Sequence, residues 1–237
     1  MPFTMVHIEV RTRSLVHWAR NNRLALSDRD YLVHNAMRLA FGEKAPQPFE
    51  VFQNGDNSLK VLGYSDHTRD DLLKEMEFLA EPLLMDTFPQ EAIRFKNMPE
   101  SWEVGRIFGF RLRCCPISRK RDEKGRIIER DSFLSACEHN PEGEHERESV
   151  YLKWLQEHIR KGKGAELLET KVKGFRLSEF KRRDEQRKPK KITRPEVTFE
   201  GILKVIDSEA FASLLRNGIG RHKAFGFGTI FLRAAVR

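Results

Sequence analysis

Phe, Val and Ile alternate with Thr, His and Glu from Phe3 to Val10, the period-two pattern of a strand with one buried face. Arg11 to Leu26 mixes polar and apolar residues and reads as a connector. The period then changes to that of a helix. Leu32, Val33, Ala36, Met37, Ala40 and Phe41 fall on one face, Ser27 or Asp28 supplies the cap and Gly42 the stop. Phe49 to Gln53 predicts a strand, Asn54-Gly55-Asp56-Asn57 a turn, and Leu59 to Tyr64 the return strand. Near Thr68 a second helix begins, with Leu72, Leu73, Met76, Leu79 and Ala80 at helical spacing. Pro82 and Pro89 break the chain after it, and Glu91 to Asn97 suits a fourth strand. Strand, helix, strand, strand, helix, strand is the ferredoxin-like order, shared with RNA-recognition folds.

The second half is less regular. Gly105 to Cys115 reads as a strand, followed by a charged stretch, Ser118 to Arg130, with a hairpin-like Lys124-Gly125. Ser132 to Glu146 reads as a loop, Ser149 to Ile159 as a short helix and Lys161 to Gly164 as a break. Glu166 to Phe175 is strand-like, with a basic arm after it. Val197 to Ile206 is a strand, and Asp207 caps a helix through Leu215. A glycine-rich loop comes next, and a final strand is expected to start near Phe227.

Charge narrows the class of partner. The 237 residues carry a net charge of +8, a balance that favours a polyanion because phosphates neutralised by Lys or Arg release counterions. The cations are clustered: nine against three acids over Arg106–Arg130, eleven against three over Lys171–Arg194, and five against none over Arg216–Arg237. Such segments mark a surface and not merely a solubility setting. Cys114, Cys115 and Cys137 do not form a disulfide framework, which suits a reducing, cytoplasmic compartment. Glu9 interrupts any apolar leader and no run approaches a membrane span, so neither a targeting segment nor a membrane partner is expected. Cys137, His139 and His145 lack the paired spacing of a zinc site, so no metal is assigned. Trp18, Trp102 and Trp154 read as packing anchors.

Asn217-Gly218-Ile219-Gly220-Arg221-His222-Lys223-Ala224-Phe225-Gly226-Phe227-Gly228 is the most informative stretch. Its glycines let backbone N–H groups approach a phosphate, and Arg221 and Lys223 add charge. It is not a dinucleotide loop, because Lys223 stands where the third glycine belongs and the loop joins a helix to a strand. It is not a P-loop, because Ala224 follows Lys223. The same glycines also suit a tight helix-to-strand connection that binds nothing.

The run GIGRHKAFGFG resembles the C-terminal glycine-rich signature of the CRISPR repeat-processing endoribonucleases of the RAMP superfamily, nearest to the CasE type. The preceding VTFEGILKVIDSEAFASLL is similar to that family's strand and helix before the signature. GRIFGFRLRCCPISRKR resembles its first strand and basic hairpin of the second domain, with Cys115-Pro116 where Asn-Pro is common. YLKWLQEHIRKGKG resembles its Trp-Leu helix, and DYLVHNAMRLAF its N-terminal Tyr-x-x-His helix. The segment Lys171–Arg194 is longer than in type I members, which leaves the type IV branch open.

On a helical wheel of about 100° per residue, Tyr31, His34 and Arg38 fall together opposite the apolar face, with Asn35 beside them. A solvated polar face would look the same. Metal-free RNA cleavage needs a base for the 2′-hydroxyl, an acid for the 5′-oxygen and positive charge for the phosphorane. Histidine suits the first two, and arginine the last. The resemblance implies that His34 is the general base and Tyr31 its helper. Arg38 and Arg23 are secondary candidates.

The expected fold class is α+β, with two tandem ferredoxin-like units. Residues 1–98 carry the candidate catalytic helix. Residues 99–237 carry a basic hairpin, a basic and partly helical insertion at about 130–195, and the glycine-rich loop. RNA contacts are expected at Arg113, Arg119, Lys120, Arg121, Arg182, Arg183, Gly218, Gly220, Arg221, His222, Lys223, Phe225, Gly226 and Gly228, with the RNA held in a basic groove between the units. Lys181 and Arg187 to Lys191 are expected near the RNA stem or in a disordered arm. The resemblance implies cleavage of a CRISPR repeat hairpin at the 3′ base of its stem, and no cofactor. It also implies retention of the mature crRNA and assembly with other Cas subunits of a type I-E or type IV effector complex. A non-cleaving RNA-binding subunit of the same fold is the rival reading.

Overall fold

A computed structural model of the protein describes residues 2–183 and 189–234, with side chains outside 180–191. The chain forms two compact units, Met1–Glu100 with Lys223–Thr229, and Ser101–His222 with Ile230–Arg237.

The first unit follows the alternation of the sequence. Strand β1 (Thr4–Arg11) leads to helices α1 (Thr12–Asn21) and α2 (Arg29–Phe41), the hairpin β2 (Phe49–Gln53) and β3 (Ser58–Ser65), helices α3 (Arg69–Leu79) and α4 (Pro82–Thr87), and β4 (Ile93–Asn97). The strands pair antiparallel in the order β2-β3-β1-β4, the ferredoxin-like arrangement. Val6, Ile8 and Val10 of β1 point into a core shared with Phe49, Val61, Leu72 and Met76 and with the apolar stripe of α2. Burying that stripe sets the rotation of α2 about its axis and turns its polar face outward.

Two local readings of this unit are corrected. Residues 11–26 are not a plain connector, because Leu15, Trp18 and Ala19 bury one face of α1. That helix is short, and Arg11 at its start makes no side-chain cap bond, so it lacks a start signal. Pro82 does not break the chain but opens α4 at a position where a missing N–H costs nothing.

The second unit repeats the topology around an insertion. Strands β5 (Ile107–Cys114), β8 (Ala165–Arg183), β9 (Pro189–Val205) and β10 (Ile230–Ala234) pair in the order β10-β5-β9-β8. Between β5 and β8 lie a separate hairpin, β6 (Ile117–Arg121) with β7 (Ile127–Asp131), and helices α5 (Ser132–His139) and α6 (Arg147–Gly162). Helix α7 (Ser208–Asn217) precedes the glycine-rich stretch. Phe110, Leu112, Tyr151, Leu155, Phe199, Leu203, Phe211 and Leu215 are buried in this unit. The protein is thus α+β with two ferredoxin-like sheet units.

Here too the structure departs from the sequence reading. Ser132–His139 is a helix, nucleated when the Asp131 carboxylate accepts from Phe133 N at 2.8 Å. The stretch after Phe175 is strand, because β8 and β9 remain paired from Ala165–Val205 out to Arg183–Pro189. The last strand starts at Ile230 and not near Phe227, since Gly226 and Gly228 hold φ of 77° and 89°, outside the strand region.

Candidate functional site

The candidate face in the first unit is built from α2. Asp28 caps it, its carboxylate accepting from Tyr31 N at 3.1 Å. Leu32, Val33, Ala36, Met37, Ala40 and Phe41 are buried, while Tyr31, His34, Asn35 and Arg38 remain partly exposed. His34 lies parallel to the Phe49 ring, at 6.2 Å between centroids. Burial first, and then the Arg38 charge, lower the His34 pKa below the ordinary 6.5, so the imidazole favours its neutral, proton-accepting form. Arg38 is engaged locally: it donates to the Gly42 carbonyl at 3.1 Å and pairs with Glu43. Arg23 is exposed between α1 and α2, with φ of 53°.

Part of the glycine-rich stretch belongs to this same unit. Lys223–Phe225 forms a 3-10 turn, and Phe225 stacks on Tyr31 with centroids 5.4 Å apart and planes 17° from parallel. Tyr31 and Phe225 are therefore brought together although almost the whole chain separates them. Burial lowers the pKa of the half-buried Lys223. Gly226 and Gly228, expected at the RNA surface, are buried with Phe227 and Thr229. Their φ of 77° and 89° suits glycine at both positions.

The rest of the stretch belongs to the second unit. Gly218 and Gly220 are partly exposed with φ of 62° and 79°. A side chain at Gly220 would bring a Cβ to 3.1 Å from Trp154 Cη2, so glycine there permits close passage over the indole. Arg221 Nε meets Glu129 Oε1 at 2.6 Å, and His222 Nε2 meets Glu129 Oε2 at 3.2 Å. Glu129 lies on β7, directly across from Arg119 of β6, so one carboxylate joins the glycine-rich stretch to the basic hairpin. Sequence reasoning missed Glu129. It looked like one acid in a basic run, and nothing local indicated that Arg221 and His222 converge on it.

Arg119, Lys120 and Arg121 are exposed along β6. Arg113 is not available as expected. It is 6% exposed, and its guanidinium binds Glu196 through Nε at 2.8 Å and Nη2 at 3.0 Å. Burial alone would favour the Glu196 acid, but bonds from Arg113, Ser178 and Arg176 bring its pKa down to about 2. Arg113 is thus a structural cation of the sheet. Arg182 and Arg183 close β8; their side chains, like those of Lys181, Lys190 and Lys191, lie outside the described residues, as do Arg187 and Lys188 entirely. Among the described residues, three non-glycine positions hold positive φ: Arg23, Lys163 and His222. Left-handed backbone at such residues costs about 1–2 kcal/mol and gathers at functional sites. Two of the three are residues singled out from the sequence, and Lys163 is the cap of α6.

No three His, Cys, Asp or Glu side chains gather as metal ligands among the described residues. No helix among them is long and apolar enough to cross a membrane.

Two ferredoxin-like units, a basic hairpin and a glycine-rich C-terminal stretch define a double-ferredoxin class of protein. A family model described as CRISPR associated protein matches residues 5–234. The chain belongs to that family. Solved structures share the fold along its whole length. Escherichia coli str. K-12 Cas6e is 21% identical over 98% of this chain and 100% of its own, with a TM-score of 0.59. Thermus thermophilus Cse3, bound to an RNA representing a pre-cleavage complex, is 17% identical over 98% and 100%, also at 0.59. A chain of a CRISPR RNA-guided surveillance complex in a pre-nicking state is 16% identical over 98% and 100%, at 0.61. No curated protein sequence matches the chain significantly.

Proposed function

We propose that the protein is a CRISPR endoribonuclease that binds the stem-loop of a repeat RNA, cuts the strand at the 3′ base of the stem and remains on the product as a subunit of an effector complex. Two structural neighbours, Cse3 bound to RNA and the surveillance-complex chain, support this reading through the fold they share with it. The observation that carries it is the exposed face of α2, where Tyr31 packs on Phe225 of the glycine-rich stretch beside His34, a histidine kept largely neutral.

The chemistry proposed there needs no metal ion. Neutral His34 accepts the proton of the 2′-hydroxyl as that oxygen attacks the adjacent phosphorus. The 2′-O–P bond forms and the P–O5′ bond breaks. Tyr31 orients the reacting groups by a hydrogen bond, and the leaving 5′-oxygen takes up a proton from water. The products are a 2′,3′-cyclic phosphate and a 5′-hydroxyl. Cations stabilise the phosphorane: Lys223 is in the same unit, and Arg38 can serve once it releases Glu43. Arg119, Lys120, Arg121 and Arg221 grip the RNA through phosphates, so recognition is mostly of A-form shape. With three free thiols and this role, the protein is assigned to the cytoplasm.

The test is incubation of an end-labelled repeat hairpin with the protein in EDTA, with chemical mapping of the product ends. Cleavage at one position leaving a cyclic phosphate is expected. Binding without cleavage favours the non-cleaving subunit, and cleavage that requires added divalent metal overturns the mechanism.

A further inference from the structure

We infer that Glu129 is a positioning residue that pins Arg221 in place for a phosphate of the bound RNA, so that one carboxylate on β7 sets the geometry of the glycine-rich stretch. The inference rests on the RNA-binding reading above and names the residue that organises that surface.

Glu129 is poorly placed for a solubilising acid. Its side chain is 9% exposed in a hairpin whose neighbouring Arg119, Lys120 and Arg121 are all exposed cations. A carboxylate on a polyanion-binding surface repels its ligand unless its charge is covered. Here both oxygens are covered. Arg221 Nε lies 2.6 Å from Oε1, and His222 Nε2 and Arg194 Nη2 lie 3.2 and 3.6 Å from Oε2. Burial pushes the Glu129 pKa up, but these basic neighbours more than reverse it and hold the group ionised. The two arginines against one carboxylate leave the cluster positive. The acid therefore works between basic side chains and not against RNA.

Arg221 shows what the arrangement provides. It meets the carboxylate through Nε, and its side chain is 46% exposed, so the guanidinium is both tied to Glu129 and open to solvent. A guanidinium tied at one nitrogen is restrained, and its geometry is a planar fork that matches two phosphate oxygens. Restraint before binding removes the rotamer freedom that a long surface side chain would otherwise lose on the RNA. His222, at a residue with φ of 62°, brings Nε2 to 3.2 Å from the same carboxylate, so Glu129 also sits against the turn between Gly220 and the Lys223–Phe225 segment. Lysine at position 221 would not substitute, because an ammonium lacks the planar fork that meets two phosphate oxygens at once.

The experiment measures affinity for a labelled repeat hairpin over a salt series, with thermal melts of each protein, for the parent, Glu129→Gln, Arg221→Ala, Arg221→Lys and the Glu129→Gln/Arg221→Ala double variant. Glu129→Gln and Arg221→Ala are each expected to weaken binding about tenfold, the scale of one charge-assisted hydrogen bond. Arg221→Ala lowers the salt slope by about one, and Arg221→Lys weakens binding although its charge is kept. Glu129→Gln adds no further loss of affinity once Arg221 is alanine, even where it lowers the melting temperature. Arg221 is exposed, so its lysine variant reports independently of folding. The inference is overturned by a Glu129→Gln effect of equal size in both backgrounds, by unchanged or tighter binding in Glu129→Gln, or by parental binding in Arg221→Lys. A parent that binds no hairpin overturns the functional reading and this inference with it.

Discussion

At the scale of single residues, the proposed cleavage depends on a histidine that is set apart by its surroundings. His34 is half-buried against Phe49 with the Arg38 charge nearby, and both effects depress its pKa. A base must be unprotonated to act, so the acid limb of the cleavage rate should lie below the ordinary histidine value of 6.5. Removing the positive neighbour in Arg38→Ala should move that limb to higher pH, while burial keeps it below the ordinary value. A single-turnover pH–rate profile of the two proteins checks this, and a limb that moves to lower pH contradicts it. The wheel already placed Tyr31, His34 and Arg38 together, because a helix with one apolar stripe leaves little choice about the rest. The partners were not legible. Phe225 under Tyr31 and Glu129 under Arg221 are contacts between residues far apart in sequence, and no local pattern encodes them.

At the scale of elements, strongly periodic segments were readable and short or charge-rich ones were not. Helix α2 and the β2–β3 hairpin matched because period, cap and turn residues agree. Helices α1 and α5 were missed because each is short. The extension of β8 and β9 was hidden because basic residues obscure period two, and each strand becomes regular through pairing with the other. The Arg113–Glu196 pair holds β5 against β9 where they lie beside that extension. Truncating one buried partner strands the other, so Glu196→Ala should cost about 3–5 kcal/mol in denaturant unfolding. The sign of its pH dependence is set by a folded pKa of about 2 against an ordinary 4.5. The contribution is present above 4.5 and is lost as pH falls toward 2, and the variant should lack that component. For the β6–β7 hairpin, alanine at Arg119, Lys120 and Arg121 should leave the melting temperature nearly unchanged. The salt slope of RNA binding should fall by about one for each phosphate contact removed. An unaltered slope would exclude this strand from the RNA surface.

At the scale of the whole molecule, the repeated ferredoxin-like order was visible in the first half and only outlined in the second, where a hairpin and two helices separate the first strand from its partners. The clustered charge pointed to a polyanion, yet it did not show which cations are spent internally. Arg113 is consumed by Glu196, and Arg221 meets Glu129 while its side chain stays exposed. The structure therefore divides the basic residues into those that build the second unit and those that face solvent. In the proposed function, cations hold the RNA and α2 cuts it. The most direct measurement is the single-turnover cleavage rate of a repeat hairpin in EDTA with protein in excess, for the parent and His34→Ala, alongside hairpin affinity. Loss of a general base predicts a rate about 10²- to 10⁴-fold lower at unchanged affinity. A His34→Ala protein that cuts at the parental rate would place the catalytic base elsewhere and contradict the account.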